Sequence, residues 1–204
     1  MTKKVLLNKY PLLKNVTALE LNKEYTIYLN KSKSLQIKVI LYDANHIAGS
    51  AMFYFHGDMG SFFHTGDFRF DEYMFHEYKT LYPNINDTVM PGIPKSIHID
   101  ELIVDNTYCD PIFQFPKRSK CVKSIINIIE DNLPCDVYIS TYNLGKEEIL
   151  VELSEHFKTK VVVEPERYRD IVCMDFKPEN FTVNVDDSWI FCKKWKDKTV
   201  PIEM

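Results

Sequence analysis

No apolar run in the 204-residue sequence approaches the roughly 20 residues that a bilayer-spanning helix needs. The start, Met1-Thr-Lys-Lys-Val-Leu-Leu, is basic and then briefly apolar. Asn8, Lys9 and Tyr10 break that run too early for a secretory h-region. Cysteine is sparse and unpaired in pattern: the five, at 109, 121, 135, 173 and 192, are odd in number and none is spaced C-x-x-C. Reduced thiols in a cytosolic or nuclear protein fit this better than a disulfide framework. The expectation is a soluble, intracellular chain with no membrane partner. A basic excess is missing too. A formal net charge of −4 argues against a generally basic nucleic-acid coat, so any DNA binding must rest on local patches or on metal ions at the phosphate. There is no internal repeat and no low-complexity tract. Of the six histidines, at 46, 56, 64, 76, 98 and 156, no two stand i, i+2, so no H-x-H metal pair exists.

The content is that of one globular domain, or one with a partial second: 45% hydrophobic and 26% charged residues, with 13 Phe and 12 Tyr for a core. Tyr25 to Leu29 reads as a strand and Asn30 to Ser34 as a turn. From Leu35 to Tyr42, Leu35, Ile37, Val39 and Leu41 alternate with Gln36 and Lys38 as in a second strand. Ala51 to Phe55 and Ser61 to His64 are hairpin arms around His56-Gly-Asp-Met-Gly60. Residues 71 to 96, with breakers Pro83, Pro91, Gly92 and Pro94, form a variable excursion. Glu101 to Val104 is expected to be a short buried strand. After Pro116, Ser119 is a candidate N-cap for a helix with Val122, Ile125, Ile126, Ile129 and Leu133 on one face. Val137 to Ser140 is a strand, Asn143 a candidate cap for a second helix striped by Ile149, Leu150, Leu153 and Phe157, and Lys160 to Val163 a further strand. That spacing predicts a βαβ unit with a parallel pair. The tail from Asp186 is polar, and a boundary is expected near Asn132-Leu-Pro134.

Three polar motifs follow apolar, strand-like runs: Asp43-Ala-Asn-His46-Ile-Ala-Gly49-Ser50, His64-Thr-Gly-Asp67-Phe-Arg69 and Asp105-Asn-Thr-Tyr-Cys-Asp110-Pro. Together they bring one imidazole and several carboxylates to neighbouring strand ends, which is how hydrolytic metal sites are built. Zinc takes His nitrogen and carboxylate oxygen at about 2.0–2.2 Å. Gly66 lets the backbone of Asp67 approach closely, and a carboxylate can bridge two ions. Asp105 can orient a ligand from behind it. His64 is nearer a strand histidine than a ligand, and Cys109 is expected inside. Asn143-Leu-Gly145-Lys146 opens a helix whose backbone N–H groups and lysine make a phosphate pocket, with a capped helix bearing a solvated lysine as the equal alternative. Lys117, Arg118, Lys120 and Lys123 line either a DNA groove or, more simply, a solvated face. Tyr108 and Phe113 stack on a base or, the favoured expectation, pack in the core.

The strings D-A-N-H-x-x-G-S-x-M-F-x-F from Asp43, T-G-D-F-R from Thr65 and D-N-T-x-C-D-P from Asp105 together resemble the metallo-β-lactamase/β-CASP DNA nucleases of the DNA crosslink-repair group. Thr141-Tyr-Asn-Leu-Gly-Lys-Glu147 and Val161-Val-Val-Glu-Pro-Glu-Arg167 extend the resemblance, which runs from about Leu12 to about Lys194. It implies an α/β fold: a partial metallo-β-lactamase αβ/βα sandwich plus part of a β-CASP domain. Residues 1–131 would be the later half of the first and residues 132–204 part of the second. It implies a zinc-dependent 5′-to-3′ DNA exonuclease acting in crosslink repair, double-strand break end processing and telomere protection. The partners would be 5′-phosphorylated or damaged DNA and telomere or repair proteins, in the nucleus. By matching motifs His46 and Asp67 are metal ligands, Asp67 the bridging one, and Asp67 and Asp105 are the catalytic acids.

The chain also departs from that family. The H-x-H-x-D-H signature that precedes the His46 motif in relatives is absent and is expected before Met1. Phe191, in Ser188-Trp-Ile-Phe-Cys, stands where relatives carry a β-CASP histidine, and the third β-CASP motif is expected beyond Met204. Ile47-Ala48 replaces Cys-Pro. Two ligands do not hold a catalytic zinc, so the chain alone is expected to be inactive, whether as a piece of a nuclease or as a degenerate protein. The alternatives are a metal-free module that binds DNA or a repair partner, and a hydrolase of RNA or a small molecule, since the sandwich hosts many reactions.

Overall fold

The computed structural model of the chain describes residues 1–71, 74, 98–142 and 144–194. The chain divides into two compact units, residues 18–109 and residues 1–17 with 110–204. That parting lies upstream of the boundary read at 131/132, because the helix between the two positions packs on the helix that follows it. No helix among the described residues is long and apolar enough to cross a membrane.

The unit of residues 18–109 is a five-stranded sheet ordered β1 (Glu24–Tyr28), β2 (Gln36–Asp43), β3 (Ala51–Gly57), β4 (Gly60–His64) and β5 (Glu101–Ile103). The first four are antiparallel neighbours, with Tyr25 opposite Val39, Tyr42 opposite Met52 and Tyr54 opposite Phe63. The β1–β2 turn closes through its own polar side chains. The Asn30 amide donates to Ser34 Oγ at 2.8 Å, and its oxygen accepts the Leu35 N–H at 3.1 Å. In the β3–β4 hairpin Gly60 has φ +100°, and a Cβ there would come to 3.0 Å of Asp100 Oδ2, so both conformation and space require glycine. That Asp100 carboxylate accepts the backbone N–H and the hydroxyl of Ser61, both at 2.7 Å, and pins the chain entering β5 onto β4. One face of the sheet carries a core of Tyr42, Ala44, Met52, Tyr54, Phe63 and Met74, with Ile40, Phe68 and Ile99 against it.

Strand β5 runs parallel to β4, with Phe63 opposite Leu102. A parallel pair needs a long crossover, and residues 65–100 supply it. The expected excursion at 71–96 lies almost wholly outside the described residues. The expectation of a buried β5 is overturned: Leu102, Ile103 and Val104 are all exposed. Among the described residues β5 is the sheet edge, so an apolar sequence finds cover on one side only.

The other unit holds a parallel sheet in the order β6 (Val137–Thr141), β9 (Ile190–Lys194), β7 (Val161–Val162) and β8 (Phe181–Thr182). Four helices accompany it: α1 (Thr2–Lys9), α2 (Arg118–Asp131), α3 (Glu147–Phe157) and α4 (Pro165–Met174). The β6–α3–β7 unit is parallel as expected, but its strands do not touch. Strand β9 lies between them, placing Ile190 and Cys192 in the core of a stretch that reads as a polar, lysine-rich tail. Val122 and Ile129 of α2, Leu150 and Leu153 of α3, and Ile171 and Met174 of α4 are buried, whereas Leu133 of the expected α2 stripe is exposed. Ser119 is not the cap of α2. The cap position falls two residues earlier, at Lys117, and carries no side-chain cap. The mixed α/β architecture agrees with the expected partial α/β sandwich.

Leu153→Ala removes a fully buried side chain from α3 and should destabilise the chain by about 2–5 kcal/mol. Ile128→Ala, on the exposed face of α2, should change stability by no more than about 0.5 kcal/mol. Equal shifts of the two urea midpoints would contradict this placement of the core.

Candidate metal and nucleic-acid site

Strands β2 and β4 both run antiparallel to β3, and β5 runs parallel to β4. The C-terminal ends of β2, β4 and β5 therefore share one edge of the sheet. The three polar motifs follow those three strands, so topology alone gathers them.

Local hydrogen bonding shapes the first loop. Asp43 Oδ1 accepts the Asn45 N–H at 3.0 Å, and Asn45 takes φ +51°, a conformation its side chain tolerates. The Ser50 hydroxyl donates to Ile47 O at 2.8 Å and accepts the N–H groups of His46 and Ile47, both at 3.2 Å. Gly49, at φ +82°, allows this tight return. The loop is then tied to the T-G-D segment: Arg69 N–H donates to Ala44 O at 2.9 Å and the Asn45 amide donates to Arg69 O at 3.1 Å.

These ties bring His46 Nε2 to 3.9 Å from Asp67 Oδ2, with side chains 44% and 81% exposed. Thr65 links this pair to the third motif. Its N–H donates to Ile103 O at 3.0 Å, and its buried hydroxyl accepts the Asp105 N–H at 2.9 Å and donates to Gly66 O at 2.8 Å. Asp105 Oδ1 in turn accepts the backbone N–H and the hydroxyl of Thr107. The Thr107 hydroxyl above all, then its N–H and more weakly the charge of His46, hold the Asp105 carboxyl below the usual carboxylate range. His64 is committed to the turn, its Nδ1 accepting the Gly66 N–H at 2.9 Å. Cys109, expected inside, is exposed, as is Tyr108; the D-N-T-x-C-D-P loop runs along the surface.

A catalytic zinc takes three protein ligands. The His46–Asp67 pair supplies one nitrogen and one carboxylate, and among the described residues no group of three or more His, Cys, Asp and Glu side chains can hold a metal. The described donors therefore do not make a zinc site by themselves.

The helix expected to open at Asn143 opens at Glu147 instead. Asn143 lies outside the described residues, and Lys146 takes the cap position at φ +70° with its side chain exposed. Glu147 turns its carboxylate back onto the Gly145 N–H, at 2.9 and 3.0 Å. A protein carboxylate thus occupies the backbone donor that the phosphate reading assigns to an anion, leaving the Lys146 ammonium as the exposed positive group of that turn. Glu147 and Arg167, only 3% and 6% exposed, form an ion pair at 2.9 Å. Arg167 also donates to Thr141 Oγ1 at 2.5 Å, Tyr142 O at 2.7 Å and Gly145 O at 2.9 Å. The Thr141 hydroxyl contacts Cys192 Sγ at 3.2 Å, and burial pushes that thiol's pKa up, so Cys192 is an inert core side chain. Neither Glu147 nor Arg167 is marked for a role by the sequence around it. Twenty residues separate them and no local pattern marks a pair.

No family model matches the chain. Over 169 residues, 83% of the chain, it is 34% identical to "5′ exonuclease Apollo" of Danio rerio, covering 27% of that protein. Over 155 residues, 74% of the chain, it is 28% identical to "DNA cross-link repair 1A protein" of Homo sapiens, covering 14% of it. The chain thus spans about a quarter or less of the length of these curated relatives. In fold it is similar to the crystal structure of a protein of unknown function from Enterococcus faecalis V583, with a TM-score of 0.56 over 96% of this chain and 51% of that one, at 13% identity. That likeness is one of fold alone.

Two outcomes follow from the geometry. Arg167→Ala leaves Glu147 buried and uncompensated and should cost about 3–5 kcal/mol in urea unfolding. Thr107→Val removes the hydroxyl that favours ionised Asp105. Because the folded-state pKa is depressed, these bonds stabilise the fold above the ordinary carboxylate range, and their contribution is lost as pH falls through the folded pKa. In the variant the Asp105 midpoint, followed by carbon NMR of the carboxyl, should rise towards its ordinary value; an unmoved midpoint would remove Thr107 from this role.

Proposed function

Because the chain belongs to the family of DNA-repair nucleases that includes the 5′ exonuclease Apollo and the DNA cross-link repair 1A protein, we propose that it carries part of a zinc-dependent 5′-to-3′ DNA exonuclease site. The observation that carries this reading is the gathering of His46, Asp67 and Asp105 at one sheet edge, with His46 Nε2 3.9 Å from Asp67 Oδ2. In this reading His46 and Asp67 are two of the metal donors, Asp67 able to bridge through its two oxygens. Asp105, hydrogen-bonded by Thr107, is the neighbouring acid. Lys146 receives a 5′-phosphate, and the two family domains meet between residues 131 and 132. The substrate is 5′-phosphorylated or damaged DNA, handled in the nucleus during crosslink repair, end processing and telomere protection alongside repair or telomere proteins.

Two donors fall short of the three that a catalytic zinc takes, so no hydrolytic step is assigned to this chain by itself. A second reading, a non-catalytic member of the family that binds DNA or a repair partner, draws support from Phe191. It stands at the family's histidine position and stacks on Tyr138, with ring centroids 4.9 Å apart. The pair packs strand on strand, and the Phe191 ring offers neither a proton nor a metal-donor atom.

Purified chain supplied with zinc should show no metal-dependent degradation of 5′-phosphorylated single-stranded DNA, and its zinc content should fall below one per chain. Turnover that disappears in Asp67→Ala would overturn this inactivity. The change equivalent to Lys146→Ala in a full-length relative should selectively weaken action on 5′-phosphorylated ends; equal loss on 5′-hydroxyl ends would count against the phosphate role.

A further inference from the structure

The segment between the D-N-T-x-C-D-P motif and α2 is apolar and yet lies on the surface. Ile112, Phe113 and Phe115 are 78%, 48% and 62% exposed. Phe113 was expected in the core. Instead it forms a parallel pair with Phe115, ring centroids 6.4 Å apart and planes within 5°. Immediately after Pro116, Lys117, Lys120 and Lys123 recur every third residue at the start of α2, all exposed, on the arc opposite buried Val122 and Ile129. Arg118, by contrast, is drawn to Glu148 at 3.5 Å.

We propose that Phe113, Phe115 and the lysine face of α2 form a binding strip for single-stranded DNA. Single-strand binders combine aromatic faces on which bases stack with a cationic track for the backbone, and this strip sets the two side by side along some ten residues of chain. A folded, net acidic chain has to concentrate its phosphate-binding charge locally, and three exposed lysines at every third residue do so here. The rings suit unpaired bases rather than duplex, whose bases are already stacked. The proposal rests on the DNA reading above and adds the strand that this surface grips.

The test is fluorescence anisotropy of a thymidine oligonucleotide about 12 nucleotides long with the full chain, across a salt series, with heparin as a polyanion that has no bases. Phe113→Ala and Phe115→Ala should each weaken oligonucleotide binding by about five-fold or more and leave heparin binding unchanged. The triple change Lys117→Gln, Lys120→Gln and Lys123→Gln should weaken both and flatten the log–log salt slope by about 2. The three lysines are exposed, so the triple variant should unfold as the parent chain does, and retained heparin binding reports that each phenylalanine variant is folded. Aromatic variants that bind like the parent, that lose heparin binding in parallel, or a parent chain that binds no oligonucleotide would each overturn the proposal. The nuclease and zinc measurements above judge the DNA-exonuclease reading independently of that result.

Discussion

The parallel pairing of β5 with β4 is the constraint on which the candidate site depends. It closes a crossover spanning residues 65–100 and brings the end of β5 beside the end of β4. Thr65 makes the junction specific, since its N–H meets Ile103 O and its hydroxyl meets the Asp105 N–H. A one-residue slip in that register would turn Asp105 to the opposite face of the sheet. Asp100, bonded to Ser61 through both its carboxylate and its backbone N–H, guards against it at the other end of the strand. The His46 loop reaches the same edge by antiparallel meander, a low-entropy route compared with the crossover.

In the other unit a buried charge pair plays the organising part. Arg167 gathers Thr141 at the end of β6, the carbonyls of Tyr142 and Gly145, and Glu147 at the start of α3. One guanidinium thus satisfies acceptors from three successive pieces of chain, and Glu147 answers the donor at Gly145. Such a pair owes its value less to net stability than to the penalty for separating it. The same arrangement explains why the turn presents a lysine rather than bare backbone to solvent.

The proposed nuclease reading draws on family membership and on the gathered motifs, and the two differ in completeness. The motif trio is present and gathered, and its imidazole and carboxylate face each other in the open. The donor count among the described residues stops at two, and the chain spans about a quarter or less of its curated relatives. Binding surfaces carry fewer requirements than a metal centre: rings and ammonium groups need exposure and proximity, which residues 112–123 have.

Most strands, helices α2 and α3 and the motif order were legible in the sequence, because alternation and helical spacing report directly on the two faces of a local element, whereas α1, α4 and β9 were not read there. The residue types at His46, Asp67 and Asp105 likewise marked them as candidate donors without a fold. Tertiary structure decided what covers each face. It left apolar Leu102 to Val104 exposed at what is, among the described residues, the sheet edge, slid β9 between β6 and β7, and turned Phe113 to the surface. It also paired Glu147 with Arg167 across twenty residues. Periodicity names the side of an element that seeks cover. Which partner arrives to cover it is settled by long-range pairing, whose free energy is shared among distant residues and leaves no local mark.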